Sequence, residues 1–370
     1  DIVFDRVEGN WNSLVLRIAG TDDSVTLRGQ YDSVYAFTFG ALFFDRIETV
    51  RFSDEPDTVW SYQDLAEMAL LYQRTTGNDA IYGFDLNDVL DGGSGDDLLS
   101  GGDGNDTYIW GEGYGNDRIQ ERGVDAMLGG EYDTVVFQGG IEADDIVVSR
   151  NENSADLVIR LETTGETLTL SGQVWYTSIN YQPDRVDQFR FSDGTVWSAA
   201  DLRARYLTDA VTSGNDVIRG FYSSDQLTGG AGDDTLYGGD GSDTYFFGYG
   251  DGNDVIEETW FNILYPDDDK VVFGNGIVQS DVSFSRIGNS SNLLITLLDT
   301  GETLTILGEF YTGNFDMNDV ENFAFSDGSV VSEDNLKSVF LSSYVGDQTV
   351  YGFDSDDIYH YARGSGNDVL

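Results

Sequence analysis

Aspartate recurs every nine residues in two stretches of this chain, and an apolar residue follows each one two positions later. In the first stretch the aspartates are Asp79, Asp88, Asp97 and Asp106, then Asp117 after a step of eleven. Their apolar partners are Ile81, Leu90, Leu99, Tyr108 and Ile119. The second stretch keeps both the rhythm and the eleven-residue step, with Asp216, Asp225, Asp234, Asp243 and Asp254 ahead of Ile218, Leu227, Leu236, Tyr245 and Ile256. A flexible glycine–aspartate linker has no reason to hold an apolar residue in phase with its charges. Two copies of one spacing therefore point to a periodic, folded backbone. Forty-five glycines against three prolines fit a chain of tight turns at positive φ.

A second, longer period of about 135–140 residues runs through the whole sequence. A 17-residue block reads LVLRIAGTDDSVTLRGQ from Leu14, LVIRLETTGETLTLSGQ from Leu157 and LLITLLDTGETLTILGE from Leu293. Its alternating apolar residues, broken by a Thr/Gly/Asp turn, predict a β-hairpin in each copy. Strand-like anchors IETVRFSD, VDQFRFSD and VENFAFSD end at Asp54, Asp193 and Asp327. A short helix is expected after each anchor, as in the first two, where Ser61 and Ser198 are N-caps with Asp64 and Asp201 at the third position. The predicted fold is all-β, with parallel rolls alternating with small antiparallel β-modules that each end in a short helix. The expected order is a module over 1–73, a roll over 74–120, a module over 121–210, a roll over 211–257, a module over 258–345 and a degenerate roll over 346–370. Starting inside a module at Asp1 and stopping inside an array at Leu370, the chain reads as a piece of a longer array.

The charge balance narrows the partners. Sixty-seven acidic against 19 basic residues give a formal charge of −48, so a compact chain repels itself unless cations bind. Nucleic acid is the wrong sign of partner. No apolar run reaches 18 residues, so no membrane insertion is expected. Without cysteine there are neither disulfides nor thiolate metal sites, and divalent cations on oxygen ligands are left as the staple.

The residues from Gly92 to Ser100, GGSGDDLLS, fit the pattern G-G-x-G-x-D-x-U-x with U apolar, as do the nine from Gly101 with Tyr108 as U. This resembles the RTX (haemolysin-type) calcium-binding nonapeptide, and the intervening modules resemble the haemolysin-type calcium-binding-related domain that accompanies it. Six loop and three strand residues make half a coil, so loops eighteen residues apart stack at about 4.8 Å. Calcium needs oxygens at about 2.3–2.6 Å and fits between two such loops. Facing aspartates without a cation would repel by roughly 1 kcal/mol per pair in water, and by several times that when shielded.

The resemblance implies that each ion takes carbonyls two and four plus the aspartate of one loop, and carbonyls one and three plus the aspartate of a later one. That assigns Thr75, Gly77 and Asp79 with Gly92, Ser94 and Asp97; Phe84, Leu86 and Asp88 with Gly101, Asp103 and Asp106; and Gly93, Gly95 and Asp97 with Glu112, Tyr114 and Asp117. The second array assigns Thr212, Gly214 and Asp216 with Gly229, Ala231 and Asp234; Phe221, Ser223 and Asp225 with Gly238, Asp240 and Asp243; and Gly230, Gly232 and Asp234 with Tyr249, Asp251 and Asp254. About three calcium ions per complete array follow. In the third array Asp357 and Asp368 keep the eleven-residue step, but Gln348 stands where an aspartate belongs, so fewer ions are expected there.

Other residues have plainer readings. Trp60, Trp175 and Trp197 read as module core rather than a glycan-binding face. His360 reads as strand decoration, and Asn289-Ser290-Ser291 is a common tripeptide that also fits a glycosylation sequon. One histidine leaves no H-E-x-x-H motif and no Ser-His-Asp triad, and the regular carboxylates are already explained by the repeat, so catalysis is not expected. The resemblance implies export by type I secretion to the outside of the cell. Two roles remain: a structural segment of a large extracellular protein (adhesin, surface layer or filament), or the carboxy-terminal secretion and folding region of an exported enzyme. Beyond calcium, the candidate partners are further copies of the chain and a cell-surface glycan.

Overall fold

The computed structural model describes residues 2–7, 10–28, 47–52, 57–121, 132–151, 154–174, 186–258, 268–286, 290–310 and 320–336. Trp175, Asn289, His360, Asp357, Asp368 and the whole of 346–370 lie outside the described residues. The chain divides into two compact units, Asp1–Tyr206 and Leu207–Leu370.

In the first unit the array winds into two facing columns of short parallel strands. Ala80–Tyr82, Leu98–Ser100 and Asp117–Ile119 form one column; Val89–Asp91, Thr107–Trp110 and Thr134–Phe137 form the other. Partners within a column are eighteen residues apart (Ile81 on Leu99, Leu90 on Tyr108), twenty apart at the eleven-residue step, where Ile119 meets Leu99, and 27 apart where Val135 meets Tyr108. The apolar residue two places after each aspartate faces inward, and Trp110 and Phe137 add a second inward side chain to their strands. Ile81, Leu90, Leu99, Tyr108 and Ile119 are all at most 1% exposed, while Val89, next to Leu90, is 60% exposed. Burying such a column at about 25 cal/mol per Å² favours the roll.

The hairpins form where the alternating pattern places them. Leu157–Leu161 pairs antiparallel with Thr167–Leu170, and Ile146–Arg150 adds a third strand outside them. The helices form over Tyr62–Gln73 and Ala199–Asp209. The Asp64 N–H donates to Ser61 Oγ at 3.2 Å and the Ser61 N–H to Asp64 at 2.7 Å, and Ser198 and Asp201 repeat the arrangement. Trp60 packs edge-on to Phe52 at 4.7 Å and Trp197 edge-on to Phe191 at 4.8 Å, and both tryptophans are half-buried at the margin of the core.

One relationship goes beyond the expected alternation of separate bodies. Leu168–Leu170 of the hairpin pairs in parallel with Asp117–Ile119 of the roll, and Gln188–Arg190 pairs in parallel with Thr134–Val136. The roll's two sheets thus continue into the segment that follows. An open roll end presents two rows of unpaired N–H and C=O groups, and the hairpin strands satisfy them. The partition at 120/121 is accordingly proposed as a division of sequence, across which the sheets run on.

The second unit repeats this design by itself. Val217–Arg219, Thr235–Tyr237 and Asn253–Glu257 lead in parallel to Thr303–Leu307; Gln226–Thr228, Thr244–Phe247 and Lys270–Phe273 lead in parallel to Asn322–Ala324. Its apolar column runs unbroken from Ile218 and Leu227 to Leu304, Ile306 and Phe323.

If roll and hairpin share their sheets, they should unfold together. Leu168→Ala, at a side chain that is fully buried, should cost about 2–5 kcal/mol. Denaturant unfolding in calcium should show that loss in one transition, with amide exchange rising in 80–119 and 146–170 alike. A hairpin that opens alone, leaving the roll protected, would contradict the shared sheets.

Candidate metal centre

Each nonapeptide aspartate does two things in the structure. The N–H of Asp79 donates to Oδ1 of Asp97 at 2.7 Å, and the N–H of Asp97 to Oδ1 of Asp117 at 2.8 Å. On the opposite edge the Asp88 N–H donates to Asp106 Oδ1 at 2.8 Å. The second unit repeats the ladder from Asp216 to Asp234 at 2.7 Å, Asp225 to Asp243 at 2.7 Å and Asp234 to Asp254 at 3.0 Å. One oxygen of each later carboxylate is thus spent on stacking. The other, Oδ2, is buried without a hydrogen-bond partner at Asp97, Asp117, Asp234 and Asp254. A buried anionic oxygen that accepts nothing is expensive unless a cation meets it.

The glycines explain how the loops come so close. A side chain at Gly92 would collide with Asp97 Oδ2, so the first glycine leaves room for the carboxylate to fold back over its own loop. Gly95, at φ +136°, lies so near the turn below that a Cβ would sit 2.5 Å from the Gly77 carbonyl oxygen. Gly102 lies likewise over the Phe84 carbonyl, Gly104 over Leu86 and Gly115 over Gly95. In the second unit Gly232 covers Gly214, Gly239 covers Phe221, Gly241 covers Ser223 and Gly252 covers Gly232. Phe84 and Phe221, where glycine is replaced, have buried side chains, so the departure adds core.

The remaining expected residues sit around this frame. Thr75 and Thr212 hold Asp79 and Asp216 through backbone and hydroxyl, at 2.6–2.9 Å. Gly101, Gly229 and Gly238 stand against the carboxylates of Asp106, Asp234 and Asp243 as Gly92 does against Asp97. Gly93 and Gly230 take positive φ; Ser94 and Ala231 lie between the glycines of their loops, and Asp103 and Asp240 occupy the matching positions of the next loops. In the final loops the Tyr114 carbonyl accepts the Gly95 N–H, and the Asp251 carbonyl the Gly232 N–H, both at 3.0 Å. Glu112 and Tyr249 are exposed at the start of those loops.

Three features were not anticipated from the repeat. Asp106 donates its N–H to Asp133 and Asp243 to Asp269, so the ladder continues beyond the last nonapeptide. With Glu121 and Glu258 these residues form two buried trios, Asp106–Glu121–Asp133 and Asp243–Glu258–Asp269, whose carboxylate oxygens lie within 4.8 Å of one another and could hold a metal ion. The only trace in the sequence is aspartate with an apolar residue two places on, at Asp133/Val135 and Asp269/Val271. Third, the residue before each aspartate makes its own ladder: Asn78 accepts from Asp96 at 3.0 Å, and Asp96 from Asn116 at 2.8 Å.

Electrostatics agree with a missing positive partner. Burial first, then the charges of Asp97, Asp96 and Glu166, push the Asp117 carboxyl up to about 7. Burial, then Asp234, Asp251 and Asp233, does the same for Asp254, also to about 7. Burial likewise raises Asp97 and Asp234. Twin all-oxygen loops with orphaned buried carboxylate oxygens fit a hard, many-coordinate cation such as calcium.

Known proteins carry the same features. The model of the haemolysin-type calcium binding protein related domain matches residues 14–64, 156–201 and 292–335. That of the RTX calcium-binding nonapeptide repeat matches 82–115, 211–245 and 219–256, and together the matched segments span more than half of the chain. Comparison with curated proteins finds no match. Among solved structures, the extracellular lipase LipA from Serratia marcescens aligns at 21% identity over 64% of this chain and 37% of its own, with a TM-score of 0.19. The chain thus spans well under half of that lipase.

The raised carboxyls make a pH prediction. Their folded value lies above the unfolded 3.8, so the calcium-free fold holds protons that the unfolded chain has lost. Its stability should therefore fall as pH rises from about 4 to about 7. Acidification in chelator from pH 8 to pH 5 should therefore contract the calcium-free chain toward the rolled state, read as a smaller hydrodynamic radius. A radius in chelator that is the same at both pH values would contradict the assignment.

Proposed function

The chain belongs to the RTX (haemolysin-type) calcium-binding repeat proteins, with haemolysin-type calcium-binding-related domains interleaved between its arrays, and from that premise we propose that it is a calcium-stabilised structural segment of a large extracellular protein. It is a calcium-binding repeat region of an exported protein, and the repeat itself is structural rather than catalytic. The finer reading is a spacer of an adhesin, surface layer or filament, exported unfolded and closed outside the cell when calcium arrives. One observation carries it: two units repeat the same ladder, trio, hairpin and anchor in the same order, with a hairpin built into the sheets after each roll. A spacer needs such a self-contained repeating unit, whereas a folding tail needs only one continuous roll. The competing reading is a secretion and folding region attached to an exported enzyme. Sequencing the intact exported protein distinguishes them: tandem copies of this unit support the spacer, and a catalytic domain beside a single array supports the tail.

In the proposed ligand sets Asp79 and Asp97, Asp97 and Asp117, and Asp88 and Asp106 share ions, as do their counterparts in the second unit. Self-repulsion among 67 acidic residues should keep the chain expanded in chelator. Millimolar calcium should contract it and raise its β-signal, read by hydrodynamic radius and circular dichroism. An unchanged radius and spectrum would contradict calcium-driven folding. Since Asp234 stacks on both Asp216 and Asp254, Asp234→Ala should weaken two sites, and Asp216→Ala one. Calcium counting by equilibrium dialysis checks this, and equal losses from the two variants would contradict the pairing.

A further inference from the structure

We propose that Glu166 in the first unit and Glu302 in the second are positioning residues for the calcium assigned between Asp97 and Asp117 and between Asp234 and Asp254, making that site conditional on the hairpin that follows. The inference rests on the calcium reading above. Glu166 ends the turn of the hairpin Leu157–Leu170, outside the nonapeptide array. Its carboxylate accepts the N–H groups of Gly113 at 3.0 Å and Gly115 at 3.2 Å, both in the eleven-residue loop that ends at Asp117. Glu302 accepts the Gly250 N–H at 3.0 Å in the corresponding loop. The hydroxyls of Thr164 and Thr300 donate to these carboxylates at 2.8 and 2.7 Å and fix them. One residue on, Thr167 donates to Asn116 at 3.1 Å and Thr303 to Asn253 at 3.0 Å, clasping the same loops a second time.

What those amides share decides the argument. The Gly113 N–H belongs to the same peptide group as the Glu112 carbonyl, the Gly115 N–H to that of Tyr114, and the Gly250 N–H to that of Tyr249. In a trans peptide the C=O points opposite to the N–H. No cis peptide occurs among the described residues. A carboxylate gripping these N–H groups from the hairpin side therefore turns the three carbonyls the other way. The Tyr114 carbonyl does face the preceding turn, where it meets the Gly95 N–H. Glu112, Tyr114 and Tyr249 are the loop residues whose carbonyls the ligand sets require. Accepting the N–H also polarises each C=O and makes it a better donor of electron density to a cation. At the start of the loop packing does not fix the turn, since Gly113, at φ +85°, has open space where a side chain would be.

Because the gripping residue lies on the hairpin and the gripped loop on the roll, ion binding and hairpin docking are linked, each favouring the other by the same factor. Calcium at this site should then hold the hairpin down, as well as the roll that carries the aspartates.

The test uses the full chain with Glu166→Gln, Glu302→Gln, the double variant and Glu166→Asp. The carboxamide keeps the size but presents a donor to one of the two amides. Calcium titration should show one site weakened about tenfold in each single Gln variant and two in the double, with the remaining sites unchanged. Glu166→Asp, which keeps both acceptor oxygens, should recover part of the loss. Amide exchange should show calcium protecting 157–170 in the unsubstituted chain and protecting it less in Glu166→Gln. Equal weakening of all sites would mean that Glu166 serves the fold in general, and unchanged binding would mean that it serves nothing here; either result overturns the proposal. If the unsubstituted chain bound no calcium, the calcium reading itself would fall, a failure distinct from this one.

Discussion

Everything in this structure follows from carboxylates stacked at the spacing of neighbouring β-strands. Parallel strands must sit about 4.8 Å apart for their backbones to bond. Here each strand is preceded by an aspartate, so the spacing that satisfies the backbone also brings like charges together. The chain meets half of the cost itself, because each N–H donates to the carboxylate of the next turn. The other half is left as buried oxygens at Asp97, Asp117, Asp234 and Asp254 that only a cation can answer. The fold is thus complete in its backbone and incomplete in its charge.

The apolar interior cannot decide the matter alone. Each strand gives one or two inward side chains, and the strands are three to five residues long in the rolls. Such a core favours the rolled state but does not outweigh a stack of anions in shielded surroundings. On the proposed reading, this balance is what lets cation binding act as a folding switch. The continuous sheets extend the consequence beyond the nonapeptides, since the hairpins and helices that follow are built on the same strand edges.

Much of this was legible in sequence. The nine-residue step announced which aspartates stack, because a strand-and-loop period of eighteen leaves no other register, and the eleven-residue step carried over as a partner distance of twenty. The inward residues, the hairpins and the Ser61 and Ser198 caps also came from local periods and local chemistry. What stayed hidden depends on contacts between distant segments. Asp133 and Asp269 join the ladder 27 and 26 residues after their partners, steps outside the nine- and eleven-residue spacing, and Glu121 and Glu258, each four residues after the last array aspartate, have no place in the nonapeptide pattern. The parallel pairing of Leu168–Leu170 with the roll is likewise unreadable locally, since a strand's sequence does not reveal which edge it will cover. The role of Glu166 was visible only as one acidic residue in a turn until its partners at Gly113 and Gly115 were known.

The central claim is that cations bridge aspartates one full turn apart. Anomalous diffraction from crystals grown in calcium tests it most directly. The account predicts peaks between the Asp79 and Asp97 loops, between Asp97 and Asp117 and between Asp88 and Asp106, with the same set from Asp216 to Asp254. Peaks bridging aspartates nine residues apart, or a closed roll with no peak beside the buried oxygens of Asp97 and Asp234, would contradict it.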